Sequence, residues 1–167
     1  MFGPLCLVLL LLQDVQIIMA LEVLGEYLSD SAVSILSQTF IEIEDPVTTY
    51  IRFQASYQLP CTYSISFESV PVENLDTLEE QLYDVFRKVA KNGIDMERMA
   101  TVVEVEKNRL LLNVEEAPSS VFSFKLINEA LYGSLDGKTL KENVQDLSCY
   151  DILSKWTSDQ WVALLQR

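Results

Sequence analysis

The spacing of apolar residues changes near the middle of the chain, and this change constrains the fold more than any other feature. Apolar and polar residues alternate from Thr49 to Tyr57 and again from Thr62 to Glu68. A period of two, with β-branched and aromatic residues on one side, is typical of half-buried strands. The short connection around Pro60 suits an antiparallel pair. The sequence therefore predicts a β-hairpin with one apolar face.

Helical spacing precedes the hairpin. Between Ile17 and Leu28, apolar residues recur every three or four positions, which predicts one amphipathic helix. A second, short helix is predicted to run to Phe40, with Asp30 or Ser31 as its N-cap. It must stop before Pro46, because the residue preceding a proline avoids the helical region.

Beyond Val70 the spacing is helical throughout. A helix that begins near Leu75 is predicted to stop at Gly93, where Asn-Gly is a signal for a left-handed C-cap. Asp95 is predicted to cap the next helix, whose apolar residues on two sides indicate burial between two layers. Another helix is predicted from Pro118 to Gly133.

The C-terminal region carries three capping-box spacings, in which Ser or Thr stands three residues before an acid or an amide. The pairs are Thr139 with Glu142, Ser148 with Asp151, and Thr157 with Gln160. They predict further short helices. The predicted order is then helix, short helix, hairpin and five helices.

Two strands are too few to cover the apolar faces of so many helices, and a two-stranded ribbon is only marginally stable by itself. The predicted fold class is therefore α+β, with an antiparallel hairpin or partial sheet packed against several helices. The remaining strands are expected either N-terminal to this chain in a longer parent polypeptide or in a partner.

Composition limits the chemistry. The 167 residues include no histidine, which excludes Ser-His-Asp and Cys-His catalysis and zinc sites built on imidazole. The net charge of −13 repels phosphate backbones and anionic lipid headgroups, so neither a nucleic acid nor a membrane is the expected partner. Cys6, Cys61 and Cys149 lack the spacing of a metal cluster and are expected as free thiols in a reducing compartment.

No residue is assigned a catalytic, cofactor-binding or metal-binding role. Arg52, the only basic residue in the predicted sheet, is either an anchor for a peptide carboxylate or a solvated or salt-bridged side chain. The three acids within residues 42–45 lack the spacing of a calcium loop. Trp156 and Trp161 are expected to anchor the last helices.

Residues 1–16 form an apolar and atypical N-terminal segment. Leu5 to Leu12 are apolar without interruption, and Gln13 and Asp14 follow. The run is shorter than the roughly 20 residues of a membrane span, and it lacks the basic start and small-residue cleavage site of a secretory signal. Three interpretations stay open: the start of a buried helix, a signal-like segment, and a membrane anchor.

An ordered series of landmarks between residues 17 and 167 resembles the pitrilysin/insulysin-type (inverzincin) zinc peptidases, and within them the presequence-peptidase branch. Each piece is short, and the specificity lies in their order. The landmarks are Ala20, Leu21, Val23, Leu24, Tyr27, Leu28, Ser31–Ser34, Leu36, Glu42, Asp45, Pro46, Val70, Pro71, Gly93–Asp95, Arg98, Met99, Glu115, Leu131–Gly133, Tyr150, Asp151, Leu153, Trp156 and Trp161.

The resemblance implies one domain of a larger enzyme. Such peptidases consist of successive α+β domains, similar to the mitochondrial processing peptidase fold, that enclose a peptide-holding chamber. Their catalytic domain binds zinc through H-x-x-E-H on a helix. Residues 17–167 resemble the single domain that follows it, and Ala20 to Leu24 resemble a duplicated counterpart of the zinc helix. Glu22 is the only acid there, so no zinc ligand carries over.

By this resemblance the chain is a non-catalytic structural or chamber domain, or a fragment of one, that cleaves no peptide by itself. The chain itself is expected to bind no cofactor, because the family's zinc is bound by the catalytic domain. Its partners would be that domain or a peptide in the chamber, in the cytoplasm or mitochondria. The alternative is a stand-alone interaction module, secreted through Leu5–Leu12. A third reading, an enzyme that uses carboxylates alone, needs two coupled acids in a cleft.

Overall fold

The computed structural model describes residues 5–12, 15–56, 61–134, 136, 140 and 146–166. They fall into two compact units, one drawn from residues 1–99 and 157–167 and the other from residues 100–156. Each unit is described by itself. The fold class is α+β, as predicted. The division into an N-terminal segment of residues 1–16 and one domain of residues 17–167 stays a prediction.

The strands are β1 (Leu5–Leu12), β2 (Tyr50–Ser56) and β3 (Cys61–Glu68). The helices of the first unit are α1 (Val15–Ser29), α2 (Ile35–Phe40), α3 (Leu75–Asn92) and the start of α4 (Met96–Glu116). The second unit holds the rest of α4, followed by α5 (Pro118–Tyr132) and α6 (Asp146–Leu153), and α7 (Ser158–Leu165) returns to the first unit. A short 3-10 turn, Val72–Asn74, precedes α3.

The predicted hairpin is confirmed. Strands β2 and β3 are antiparallel, with Ile51 opposite Phe67 and Phe53 opposite Ile65. Ile51, Ile65 and Phe67 are buried on one face, whereas Arg52 on the other face is exposed. The alternation in the sequence therefore corresponds to one face against the core and one toward solvent. The predicted turn around Pro60 lies outside the described residues.

The expectation of a helix start within Leu5–Leu12 is wrong, because this run forms β1. It pairs with β3 in antiparallel fashion from Leu5 opposite Phe67 to Leu12 opposite Cys61, and the sheet order is β1-β3-β2. The hairpin thus belongs to a wider sheet, but its third strand comes from this chain and not from a missing segment. A short, uniformly apolar run has no period with which to tell a strand from a helix. No helix among the described residues is both long and apolar enough to cross a membrane.

The first predicted helix is confirmed as α1, but the predicted cap of the second is wrong. Helix α2 begins after Ser34, beyond Asp30 and Ser31, because the Ser34 amide donates to the Ser31 carbonyl oxygen and closes a turn first. The Ser34 hydroxyl donates to Ser37 at 2.9 Å. The helix ends at Phe40, whose ring packs edge-on against Phe67 with centroids 5.7 Å apart.

The predicted boundary between the two long helices is confirmed. Helix α3 buries Leu78, Leu82, Val85 and Val89 and stops at Gly93, where φ is +81°. The Gly93 amide still donates to the Val89 carbonyl oxygen at 2.9 Å. Asp95 then caps α4, since its Oδ1 accepts from the amides of Glu97 and Arg98 at 3.0 and 3.3 Å.

The expected burial of α4 on two sides holds only near its start. Met99, Val102 and Val103 are buried, but Val105 is 49% exposed and Leu112 51% exposed. The two apolar sides in the sequence therefore do not correspond to two covering layers along the whole helix. In the second unit α5 begins at Pro118, as predicted, and its Phe124, Ile127 and Leu131 are also more than half exposed.

Of the three predicted capping boxes, one is confirmed. Thr157 caps α7 by accepting from the Gln160 amide, and the Gln160 side chain accepts from the Thr157 amide. Ser148 lies inside α6, which already begins at Asp146, so its predicted cap is wrong. The Thr139–Glu142 pair falls outside the described residues.

Replacement of Gly93 by Ala should destabilise the protein. With φ at +81° and ψ at 174°, this backbone is one that residues with a Cβ rarely adopt, and such strain amounts to about 1–3 kcal/mol. Urea unfolding should show that loss for Gly93→Ala, whereas Asn92→Ala, one residue earlier in regular helix, should change the free energy of unfolding by less. Equal stability of wild type and Gly93→Ala would contradict the conformation.

Candidate functional site

Helix α1 lies so close to the sheet that one position admits only glycine. A Cβ built on Gly25 would sit 2.5 Å from the Tyr63 hydroxyl oxygen and 2.7 Å from Cγ of Phe53. Carbon atoms in ordinary contact stay about 3.5–4.0 Å apart. Gly25 therefore sets the distance at which α1 packs on β2 and β3.

The Tyr63 hydroxyl completes this contact. It donates to the backbone carbonyl oxygen of Leu21 at 2.5 Å, within the buried interior. In an α-helix that oxygen also accepts from the amide four residues later, which is Gly25. Burial, with the charges of Glu22 and Glu26, raises the pKa of Tyr63 above its ordinary value. The phenol therefore stays protonated and remains a hydrogen-bond donor.

The face of α1 toward the core carries no metal-binding chemistry. Ala20, Val23 and Leu24 are at most 3% exposed, and Glu22, the acid between them, is half-buried. No group of three or more Cys, Asp or Glu side chains within the described residues could hold a metal ion. In this helix the apolar positions are part of the core.

Several family landmarks meet at the end of α1. The Arg98 guanidinium lies over the Tyr27 ring, 4.7 Å from its centroid, and pairs with Asp30. The Tyr27 hydroxyl accepts from the Asp95 amide at 3.2 Å. Cation–π and charge-assisted contacts of this kind fix the start of α4 against α1. These residues tie elements together, which is a structural role.

A further landmark contact joins α7 to the loop before α4. The Ile94 amide donates to the Ser158 hydroxyl at 2.9 Å. Trp161, one turn later on α7, is fully buried. The expectation that Trp161 anchors a C-terminal helix is confirmed. Trp156 is half-buried.

The first unit contains a cavity of about 600 Å³ beside the contact between α1 and the sheet. Its walls are mostly apolar and come from α1, the two hairpin strands, α3 and α7. The residues that line it are Leu21, Leu24, Gly25, Leu28, Phe53, Tyr63, Ile65, Tyr83, Phe86, Arg87, Ala90, Lys91, Leu164, Leu165 and Gln166. Its size and character are those of small-molecule sites, which are concave and apolar with a few polar groups.

The sequence did not indicate this cavity, because its walls come from four separate parts of the chain. One signal was present: Tyr83, Arg87 and Lys91 are spaced four apart and so share one side of α3,. By itself that pattern is typical of a solvated helix face. In the structure these three side chains line the apolar cavity, so they are candidates for binding a ligand there.

The other candidates from the sequence lie apart from the cavity lining. Arg52 is exposed on the hairpin and stacks over the Tyr50 ring at 5.5 Å. Glu42, Glu44 and Asp45 are all exposed in the loop after α2, and they form no metal-holding group within the described part of the chain.

Comparison with known proteins decides the family. Residues 5–105 match the family model described as the Peptidase M16 inactive domain. The chain belongs to this family. The family predicted from the sequence landmarks is thereby confirmed, and its domain is one described as inactive.

The relatives are much longer than this chain. An uncharacterized protein of Schizosaccharomyces pombe is 36% identical over 154 residues, which are 92% of this chain but 15% of that protein. An uncharacterized protein of Saccharomyces cerevisiae is 30% identical over 149 residues, 89% of this chain and 14% of that protein. The chain thus spans about one seventh of the length of these relatives.

A solved structure shares the fold. The crystal structure of a protease from Helicobacter pylori matches 99% of this chain and 37% of its own, with a TM-score of 0.64 and 14% sequence identity. The arrangement of helices on an antiparallel sheet is therefore that of a domain within a protease.

The contact of α1 with the sheet can be tested by substitution. Gly25→Ala should lower the free energy of unfolding by about 1–3 kcal/mol, because the methyl group overfills a packed site. Tyr63→Phe removes the nearest atom, so the same Gly25→Ala change should be less destabilising in a Tyr63→Phe background. Urea unfolding of the four proteins gives the coupling energy. Additive changes in the free energy of unfolding would show that positions 25 and 63 are not in steric contact.

Proposed function

We propose that this chain is a non-catalytic domain of a longer zinc peptidase, closest to the presequence-peptidase branch. Its role is to pack against the catalytic zinc domain and form part of the wall of the peptide chamber. It holds no zinc of its own, and its working compartment is the cytoplasm or the mitochondrion.

The observation that carries this proposal is the use of α1. By its sequence resemblance to the zinc peptidases, this helix corresponds to the one that binds zinc in their catalytic domain. Here the positions Ala20, Val23 and Leu24 are apolar and at most 3% exposed, so they belong to the core. A helix used in this way cannot at the same time present zinc ligands and a catalytic water to a substrate.

Two further observations support a role inside a larger protein. The relatives are about six times as long as this chain. In addition, α5 exposes Phe124, Ile127 and Leu131, which share one helical face, by 54–68%. A contiguous apolar face of this kind is typical of a surface that another protein part covers. The same face is what would serve the alternative, a stand-alone module that binds a protein partner.

The purified chain should neither bind zinc tightly nor cleave peptides. Cleavage of a mixed peptide library should stay at the level of buffer with added zinc, and a chelator should change nothing. Glu22→Gln removes the only acid of the corresponding helix segment and should behave like the wild type. Chelator-sensitive cleavage that disappears in Glu22→Gln would refute the proposal.

A chimaera separates the domain role from the stand-alone module. The aligned segment of the Schizosaccharomyces pombe relative is replaced by this chain, and the same relative with the segment deleted serves as the control. A domain that packs within the longer protein should give a soluble chimaera in which this chain unfolds at a higher urea concentration than when isolated. An unchanged midpoint for this chain would favour the stand-alone module.

A further inference from the structure

The cavity beside α1 is too large to be a packing defect. Protein interiors are packed as densely as organic crystals and have few voids larger than a water molecule, whereas this cavity measures about 600 Å³. Leu24, Leu28 and Ile65 in its walls are at most 3% exposed to solvent. The recess is therefore mostly apolar and open on one side, and an apolar ligand that entered it would be partly removed from water,.

Two cations line the cavity, although the chain as a whole carries a net charge of −13 and the charges of Glu22 and Glu26 act on Tyr63 in the cavity wall. Arg87 and Lys91 line it, and none of the described lining residues is acidic. Arg87 lies 3.3 Å from Asp84, but both side chains are more than half exposed, so this pair is weak and screened. Lys91 has no ion-pair partner within the described part of the chain.

We propose that this cavity binds an unbranched aliphatic carboxylate, with the hydrocarbon chain in the recess and the carboxylate between Arg87 and Lys91. Both cations project from one side of α3, one turn apart. Arg87 Nε donates to the Tyr83 carbonyl oxygen at 3.3 Å and Nη1 faces Asp84, so the carboxylate would be held through Nη2 of Arg87 and the Lys91 ammonium. The site is independent of the proposed chamber role, because every lining residue belongs to the first unit of this chain.

The polarity of the recess favours a hydrocarbon over a peptide. A peptide would bring amide and carbonyl groups into the cavity, and each would need a hydrogen-bond partner there. The deep polar atom, the Tyr63 hydroxyl, already donates its proton to Leu21. A methylene chain makes no such demand, and its one charged end meets the two cations at the rim.

Isothermal titration of the full 167-residue chain with octanoate, decanoate and dodecanoate tests the proposal. One equivalent should bind, and affinity should rise roughly fourfold for each added methylene group. Decanol and decyltrimethylammonium, which keep the chain but lose or reverse the charge, should bind at least tenfold more weakly than decanoate. A higher salt concentration should weaken the binding of decanoate and leave the binding of decanol unchanged.

Matched variants locate the site. Lys91→Glu should weaken decanoate at least tenfold, whereas Lys88→Glu, the same change at an exposed position of α3 outside the lining, should not. Ala90→Trp should fill the recess and abolish binding of all chain lengths, with exposed Ala163→Trp on α7 as its control. Circular dichroism verifies that each variant is folded. If Ala90→Trp does not fold, Lys91→Glu still tests the site.

Three results would overturn the proposal. Decanol that binds as tightly as decanoate would remove the role of the cations. Equal effects of Lys91→Glu and Lys88→Glu would place the ligand elsewhere. Binding of an apolar, acidic peptide by a chain that does not bind decanoate would assign the cavity to a peptide.

Discussion

The close approach of α1 to the sheet is the contact on which the rest of the first unit depends. Gly25 lets the helix backbone come within van der Waals distance of Phe53 and Tyr63, and the Tyr63 hydroxyl bonds to the helix at Leu21. Because the helix is held this tightly, its inward positions belong to the core.

The landmarks of the family act mainly as connectors in this chain. Tyr27, Arg98 and Asp95 join α1 to α4, although about 70 residues separate them in sequence. Buried Trp161 holds α7 in the first unit after the chain has passed through the second. A domain described as inactive can thus keep a recognisable sequence pattern, because that pattern specifies contacts between elements.

Much of the fold could be predicted from local spacing, and the errors have physical causes. The hairpin and α3 were predictable because each has one apolar face with a clear period. Strand β1 was not, since Leu5–Leu12 is apolar at every position. The later part of α4 was predicted to be buried because its residues are apolar, but Val105 and Leu112 there are exposed. The cavity could not be predicted, because its walls come from five elements whose packing the sequence does not show. In the sequence, Arg87 and Lys91 indicate only a polar helix face.

Native-state hydrogen exchange tests most directly whether α1 and the sheet form one structural unit. Amides of Leu24 to Leu28 in α1 and of Tyr63 to Phe67 in β3 should exchange only through global unfolding, with one common free energy that equals the value from urea. A smaller opening free energy for α1 than for β3 would show that the helix detaches by itself. In that case the contact at Gly25 would not be what holds the unit together.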